Sequence, residues 1–322
     1  VSDSSTAVPN FFAGPYIDRR SDARDAPDWL ERARADADTR WVLARGSAQL
    51  IALEPEPRIA FLRGDDPRVA HAGPATTILL GWFRDARCVL VEDAAEHAVE
   101  ASGSTRFEEL RPISSRLPAD EAGLLAYARA LSIWRARHRY CGACGTPTVA
   151  RRAGHSLHCP KPECAIEIFP RIDPAIIVLV TDGERALLGR QANWPEGRYS
   201  TLAGFVEPGE SLEDAVLREV EEETSVRVSG IVYHSSQPWP FPSSLMLGFI
   251  ARAPADAIVR TSAELEHARW FTRAEILAGA AGVPVLPPRT SISHRLIEEW
   301  FDSGSEIPLA AQLEAPQWDA PR

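Results

Sequence analysis

Lysine is nearly missing from this chain. Lys161 is the one lysine in 322 residues, so arginine carries almost all of the 35 basic charges. Acidic residues outnumber them at 45, and the net charge of −10 argues against broad, sequence-independent binding to DNA. With heavy alanine use, the arginine bias reflects a GC-rich genome rather than a function. Long apolar runs are also lacking. No stretch reaches 18 apolar residues, so no membrane span is expected. The opening residues Val1 to Ser5 have no basic start followed by an apolar block, and no secretory signal is expected. Cysteine is scarce too. Of five, four fall into two pairs and Cys88 stands alone. That pattern excludes a disulfide framework and fits a reducing cytoplasm. The apolar fraction is ordinary at 45%, and a chain this long can bury a sizeable core in two domains or more.

The paired cysteines are Cys141-Gly-Ala-Cys144 and Cys159-Pro-Lys-Pro-Glu-Cys164. Gly142 and Gly145 allow the first pair to turn tightly. Fourteen residues, 145 to 158, separate the pairs, enough for a small hairpin. Four thiolates suit tetrahedral Zn²⁺, and a closed four-cysteine site is structural because it keeps no open position. His155 and His158 are alternative ligands. Seven basic residues surround this segment, namely Arg135, Arg137, Arg139, Arg151, Arg152, Lys161 and Arg171. They can offset thiolate charge or touch a phosphate or RNA.

The most informative stretch runs from Gly204 to Val226, a glycine loop that becomes a helix. Ser211 reads as its N-cap and Asp214 as the capping-box partner. Leu212, Ala215, Val216 and Val220 form a core face. Glu219, Glu222 and Glu223 stand at i, i+3 and i+4 and share a face. Like charges at that spacing repel by roughly 0.2–0.5 kcal/mol each. Either water screens them on a solvated face or a hard divalent cation such as Mg²⁺ or Mn²⁺ neutralises them. Arg218 can pair with Glu222.

A second stretch, Ser236-Gln-Pro-Trp-Pro-Phe-Pro-Ser-Ser244, has three prolines in five residues. They forbid a helix or a regular inner strand and make a stiff loop that presents Trp239 and Phe241. Such a loop loses little entropy on stacking against a flat ring. It could equally be a packed structural loop.

Elsewhere, short apolar runs at 41–44, 49–53, 58–62, 77–83 and 88–91 predict strands. Segments 107–110 and 119–134 read as helical. Phe169 to Pro174 leads into Ala175 to Val180, a strand buried on both faces, with 185–190 as its hairpin partner. Further strands are expected near 226–233 and 245–251, then a turn and strand at 263–271 and a helix from Arg273. No internal repeat is evident. Residues 1 to about 25 read as a partly ordered arm, and the tail beyond Ser303 as a surface segment.

The 204–226 stretch resembles the signature of the Nudix hydrolases. Gly204, Glu210, Arg218, Glu219, Val220, Glu222, Glu223 and Val226 all match, and Ser225 stands where that family has glycine. The proline-aromatic stretch is similar to the mark of the NADH pyrophosphatase (NAD⁺ diphosphatase) subfamily, which also carries a preceding zinc ribbon. The resemblance implies an α+β protein: an N-terminal α/β domain (1–137), a four-cysteine zinc ribbon (138–168), a C-terminal Nudix α/β/α sandwich with a mixed sheet (169–303), and a tail (304–322). It implies hydrolysis of NADH or NAD⁺ to nicotinamide mononucleotide and AMP with Mg²⁺ or Mn²⁺, and removal of an NAD cap from RNA. It further implies metal contacts at Ala203, Glu219, Glu222, Glu223 and Glu264, with Glu266 competing with Glu264. Glu222 or Glu223 would be the base, and zinc would sit on Cys141, Cys144, Cys159 and Cys164. Substrate contacts map to Phe169, Phe205, Gln237, Pro238, Trp239, Pro240, Phe241, Pro242, Ser243, Ser244 and Ser293. A homodimer is expected. Alternatives are a chain devoted to NAD-RNA decapping, an ADP-ribose hydrolase, and a non-catalytic nucleotide sensor.

Overall fold

The short apolar runs of the first half pair into one sheet. The structure is a computed structural model that describes residues 8–93, 103–278 and 284–313. The outer parts of the expected arm (1–7) and tail (314–322) lie outside the described residues. The chain divides into two units. One holds Phe12–Ile172 with Trp239–Ser243; the other holds Asp173–Pro238 and the residues from Ser244 on, together with the segment that ends at Phe11.

In the N-terminal unit the elements are β1 (Ile17–Asp18), α1 (Trp29–Ala35), β2 (Arg40–Arg45), β3 (Ala48–Ala52), β4 (Arg58–Ile59), α2 (Pro67–Ala70), β5 (Thr77–Phe83), β6 (Ala86–Glu92), β7 (Thr105–Glu109), α3 (Leu110–Ile113) and α4 (Ala119–Arg137). The sheet order is β1-β5-β6-β2-β3-β4, with β7 also on β3. Only β2 and β6 run parallel among its described pairs. Continuous burial of Val42, Leu43, Leu79, Leu80, Val89 and Leu90 fits strands covered on both faces. The expectation of a helix at 107–110 is corrected here. Thr105–Glu109 is a strand paired residue for residue with β3, Leu50 opposite Phe107, and the helix begins at Leu110. Four residues are too few to show a period, and the deciding partner lies far away in sequence.

The cysteine segment forms a three-stranded antiparallel sheet of β8 (Val149–Arg151), β9 (Ser156–His158) and β10 (Glu167–Ile168). It packs into the N-terminal unit. His155 Nε2 meets the Leu79 carbonyl at 2.7 Å, and Arg152 pairs with Asp25 at 3.1 Å.

The C-terminal unit contains β11 (Asp173–Thr181), β12 (Arg185–Arg190), β13 (Leu202–Phe205), α5 (Leu212–Thr224), β14 (Ser229–Trp239), β15 (Ser244–Arg252), β16 (His267–Thr272), α6 (Arg273–Ala278), α7 (Ile292–Asp302) and α8 (Leu309–Gln312). The mixed sheet has the order β14-β15-β11-β12-β16, with β13 also on β11. Strand β11 runs parallel to β15 from Asp173–Ser244 to Thr181–Arg252. Alternate residues of β11 feed opposite cores, as the strand period requires. Ile176, Val178 and Val180 pack with Ala215, Val216 and Val220 of α5. Ile177 and Leu179 pack with Leu296, Ile297, Trp300 and Phe301 of α7. The expected α/β/α sandwich is present.

The same topology occurs twice. In the N-terminal unit β2 pairs with β3 antiparallel and with β6 parallel, as β11 does with β12 and β15. Strand β7 edges β3, as β16 edges β12. What differs is the helix after β4: α2 has 4 residues, against 13 in α5. A repeat not evident in sequence is evident in strand order.

Candidate catalytic and metal sites

Helix α5 starts as the sequence indicates. The Ser211 hydroxyl accepts from the Asp214 amide at 3.1 Å, and Asp214 reaches back to the Ser211 amide at 3.4 Å. Arg218 braces the loop against the helix. Its guanidinium bonds both oxygens of Glu210, Glu219 at 2.9 Å, Glu222 at 3.1 Å and the Phe205 carbonyl at 2.9 Å. The bond from Arg218, then the Glu207 amide, pulls the Glu210 carboxyl down to about 2. Glu210 in turn raises the Arg218 pKa.

The three helix glutamates share a face but not an environment. Glu219 and Glu223 are buried, whereas the Glu222 side chain is 62% exposed. Burial, then the charges of Glu219 and Glu264, pushes Glu223 up to about 8. Burial also raises Glu219, opposed by Arg218. One Glu223 oxygen, Oε2, is buried without a hydrogen-bond partner. Gly204 makes room for the cluster: a Cβ there would fall 1.9 Å from the Glu219 carboxyl carbon. Ala203, one residue before it, is exposed at the same edge.

The charge of Glu264 bears on both Glu219 and Glu223. Glu266 instead pairs with Arg190 at 2.7 Å. The charge of Glu264 therefore reaches the buried pair, while Leu265, between Glu264 and Glu266 in sequence, packs into the core. Among the described residues the four cysteines are the group drawn together as a metal site requires. The buried Glu219, against Gly204, and Glu223, with its orphaned oxygen, offer the hard oxygen donors that a divalent cation takes.

The Sγ atoms of Cys141, Cys144, Cys159 and Cys164 all lie within 4.8 Å of one another. Two of the spacings are 3.7 Å and 3.4 Å, near the roughly 3.8 Å that tetrahedral Zn–S bonds of about 2.3 Å impose. These residues fit structural zinc. Of the two alternative ligands, His155 is turned away to the Leu79 carbonyl, and the group drawn together among the described residues contains the four cysteines without His158. A bond with the Thr146 side chain draws the Cys144 thiol down, while Cys159 and Cys164 are raised, so the four thiols titrate as one set.

The proline-aromatic stretch divides between the units. Gln237 belongs to the C-terminal unit and is buried. Its side chain donates to the carbonyls of Phe11 and Thr290 and accepts from the Ile292 amide. That leaves it a strut rather than a presented group. Ser293 is also internal. Its Oγ contacts Ser200 Oγ at 2.8 Å, the Thr201 amide at 3.1 Å and Thr201 Oγ1 at 2.8 Å. Both side chains are buried and make their hydrogen bonds within the protein. Ser244 opens β15 opposite Asp173. Trp239, Pro240, Phe241, Pro242 and Ser243 belong to the N-terminal unit, with the Trp239 and Phe241 rings half-buried. Phe169 and Phe205 are exposed at 57% and 61%, as a stacking residue must be. Two arginines escaped sequence reasoning. Arg111 lies 5.5 Å from the centroids of both Trp239 and Phe241, and Arg129 lies 5.3 Å from that of Phe241.

Three family models match along the chain. They are a NUDIX domain over 171–290, an NADH pyrophosphatase-like rudimentary NUDIX domain over 38–134, and an NADH pyrophosphatase zinc ribbon domain over 136–169. The second accounts for the duplicated topology. An NAD-capped RNA hydrolase of Macaca fascicularis is 34% identical, over 91% of this chain and 73% of its own length. The NAD-capped RNA hydrolase NudC of Pseudomonas fluorescens is 43% identical, over 80% of this chain and 88% of its own length. That of Stutzerimonas stutzeri is 44% identical, over 60% of this chain and 67% of its own length. With its signature helix, zinc ribbon and rudimentary second domain all matched, the chain belongs to the Nudix hydrolases of the NADH pyrophosphatase type.

Proposed function

We propose that this chain hydrolyses the pyrophosphate bond of NADH or NAD⁺, giving nicotinamide mononucleotide and AMP. The same cleavage would remove an NAD cap from RNA and leave a 5′-monophosphate. The observation that carries this reading is the buried pair of Glu219, packed against Gly204, and Glu223, with its orphaned oxygen. Relatives bearing the name NAD-capped RNA hydrolase support it. The ring-presenting residues Trp239 and Phe241 support a substrate with a flat ring.

Glu219 and Glu223 would hold Mg²⁺ or Mn²⁺, helped by the Ala203 carbonyl and Glu264. A divalent cation bound there supplies positive charge to offset the pyrophosphate oxygens and Lewis acidity to activate water. Glu222 is exposed to solvent, which suits a group that takes a proton from water and passes it to bulk. Arg218 fixes Glu222 at 3.1 Å and so orients that carboxylate. Phe205 would stack on a ring at the loop, and Arg218 holds the Phe205 carbonyl at 2.9 Å. The remaining catalysis is positioning. A homodimer in a reducing cytoplasm belongs to the same reading, supported by the resemblance.

The expected basic patch is smaller than the sequence implied. Arg135 is buried against the Thr77 and Ala75 carbonyls, and Arg152 pairs with Asp25. Arg137, Arg139, Arg151 and Lys161 are exposed and remain available to RNA phosphates.

The test is product analysis with Mn²⁺ or Mg²⁺ on NADH, NAD⁺, ADP-ribose and NAD-capped RNA, with Glu223→Gln as control. Nicotinamide mononucleotide released by the wild type and lost in the variant is expected. Tight binding without cleavage of any substrate would sink the enzyme reading in favour of a sensor.

A further inference from the structure

Arg129 lies in α4, on the side of that helix that also buries Ala122, Leu125 and Ser132. Its side chain is only 11% exposed. A buried guanidinium is expensive, and an apolar residue of similar volume would serve packing alone as well or better. Its hydrogen bonds show what it serves. Nη1 bonds Glu109 at 2.8 Å and the Ser47 carbonyl. Nε donates to the carbonyl of Pro240 at 3.0 Å, and the guanidinium lies 5.3 Å from the Phe241 ring centroid.

The loop needs such a partner. Pro240 and Pro242 have no N–H to tie them down. Pro240 is buried, so its carbonyl must find a donor inside the protein. Within the loop the Phe241 amide closes a tight turn on the Trp239 carbonyl at 2.8 Å. The Trp239 and Phe241 rings meet edge-on, centroids 5.1 Å apart, and Phe12 packs edge-on against both at 6.2 Å and 6.0 Å. Arg129 is the polar anchor of that aromatic cluster.

We propose that Arg129 is a positioning residue for substrate selection. By holding the Pro240 carbonyl and the Phe241 ring, it presets the loop that receives the nicotinamide ring of the substrate, so the loop is not ordered at the expense of binding energy. The anchor comes from the rudimentary domain. Among its described residues it carries no glutamate helix, and its α4 supplies the anchor instead. The proposal rests on the functional reading above.

Arg129→Met and Arg129→Lys test it. Methionine keeps length but loses every donor. Lysine keeps the charge toward Glu109 but lacks the fork that serves Glu109 and Pro240 together, and it carries the test should the methionine variant fold poorly. Hydrolysis of NADH should show KM raised by roughly tenfold or more, with kcat within about threefold. ADP-ribose, which lacks the nicotinamide ring, should change less than about threefold in kcat/KM. Amide hydrogen exchange across residues 239–243 should accelerate at least tenfold while the amides of α4 stay protected. Unchanged KM and unchanged exchange in both variants would overturn the proposal. So would equal losses on both substrates with faster exchange throughout α4, since that is a core defect. If the wild type fails to cleave NADH, the functional reading falls, and the exchange comparison still decides whether Arg129 orders the loop.

Discussion

The Glu219 carboxylate occupies the space that a side chain on residue 204 would fill: a Cβ on Gly204 would sit 1.9 Å from its carboxyl carbon and 2.0 Å from Oε1. The first glycine of the signature is therefore a steric condition on Glu219, the first of the three clustered helix glutamates. The clash is with the far end of a flexible side chain, so the fold can yield.

Gly204→Ala should move the Glu219 carboxylate without unfolding the protein. We expect hydrolysis to drop about a hundredfold and Mn²⁺ affinity by about tenfold or more. Thermal unfolding should shift by only a few degrees. Titration calorimetry and melting curves on one preparation check both halves.

Glu223 gives a pH signature. Its folded pKa, about 8, is above the ordinary carboxylate value of 4.5. A raised acid destabilises the cation-free fold as pH climbs from 4.5 toward 8, because ionisation is easier once unfolded. Glu223→Gln should therefore stabilise the cation-free protein, by on the order of 3 kcal/mol at pH 8 and by little at pH 4. Urea melts at the two pH values decide it. Equal effects at both would contradict the burial argument.

Ser225 occupies the left-handed region, φ 58 and ψ 16, at the end of α5. A non-glycine residue there is strained by roughly 1–2 kcal/mol, partly offset by lower unfolded-state entropy. Its hydroxyl makes only a long 3.4 Å contact with the Arg260 carbonyl. Ser225→Gly should raise stability by about 1 kcal/mol and leave kcat/KM intact, as read by chemical denaturation beside an activity assay.

His155 is buried, and desolvation lowers its pKa from 6.5 to about 4. The unfolded chain takes up a proton first as pH falls, so stability should decline between about 6.5 and 4. His155→Gln should remove part of that decline, about 2–3 kcal/mol between pH 7 and pH 4. Its difference from wild type across that range isolates the residue from acid release of zinc.

Cys144→Ser should lower zinc content to well below one per chain and destabilise the N-terminal unit by several kcal/mol. Metal analysis and denaturation measure these. Retained zinc at full stoichiometry would argue against the four-thiolate site.

Much of the chemistry was legible in local spacing. The capping box of Ser211 and Asp214, the core face of α5 and the cysteine pairs are patterns within a few residues of one another, where helical period and turn geometry act directly. Of the expected stiff loop at 236–244 only 240–243 is a turn, because Ser236–Trp239 ends strand β14 and Ser244 opens β15. The strand β11 was legible because an unbroken apolar run can be covered on both faces. The strand at Thr105–Glu109 was not, since its ladder partner in β3 is more than fifty residues away.

The sequence by itself determined which residues carry charge, thiol and ring, and which segments are helix or knuckle. Only the tertiary structure decided how those groups differ. It buried Glu219 and Glu223 and left Glu222 in water, brought Glu264 rather than Glu266 to bear on them, and turned Gln237 and Ser293 inward. It also set Arg129 under Pro240. Burial and long-range pairing depend on what the rest of the chain packs against each atom, and no local pattern records that.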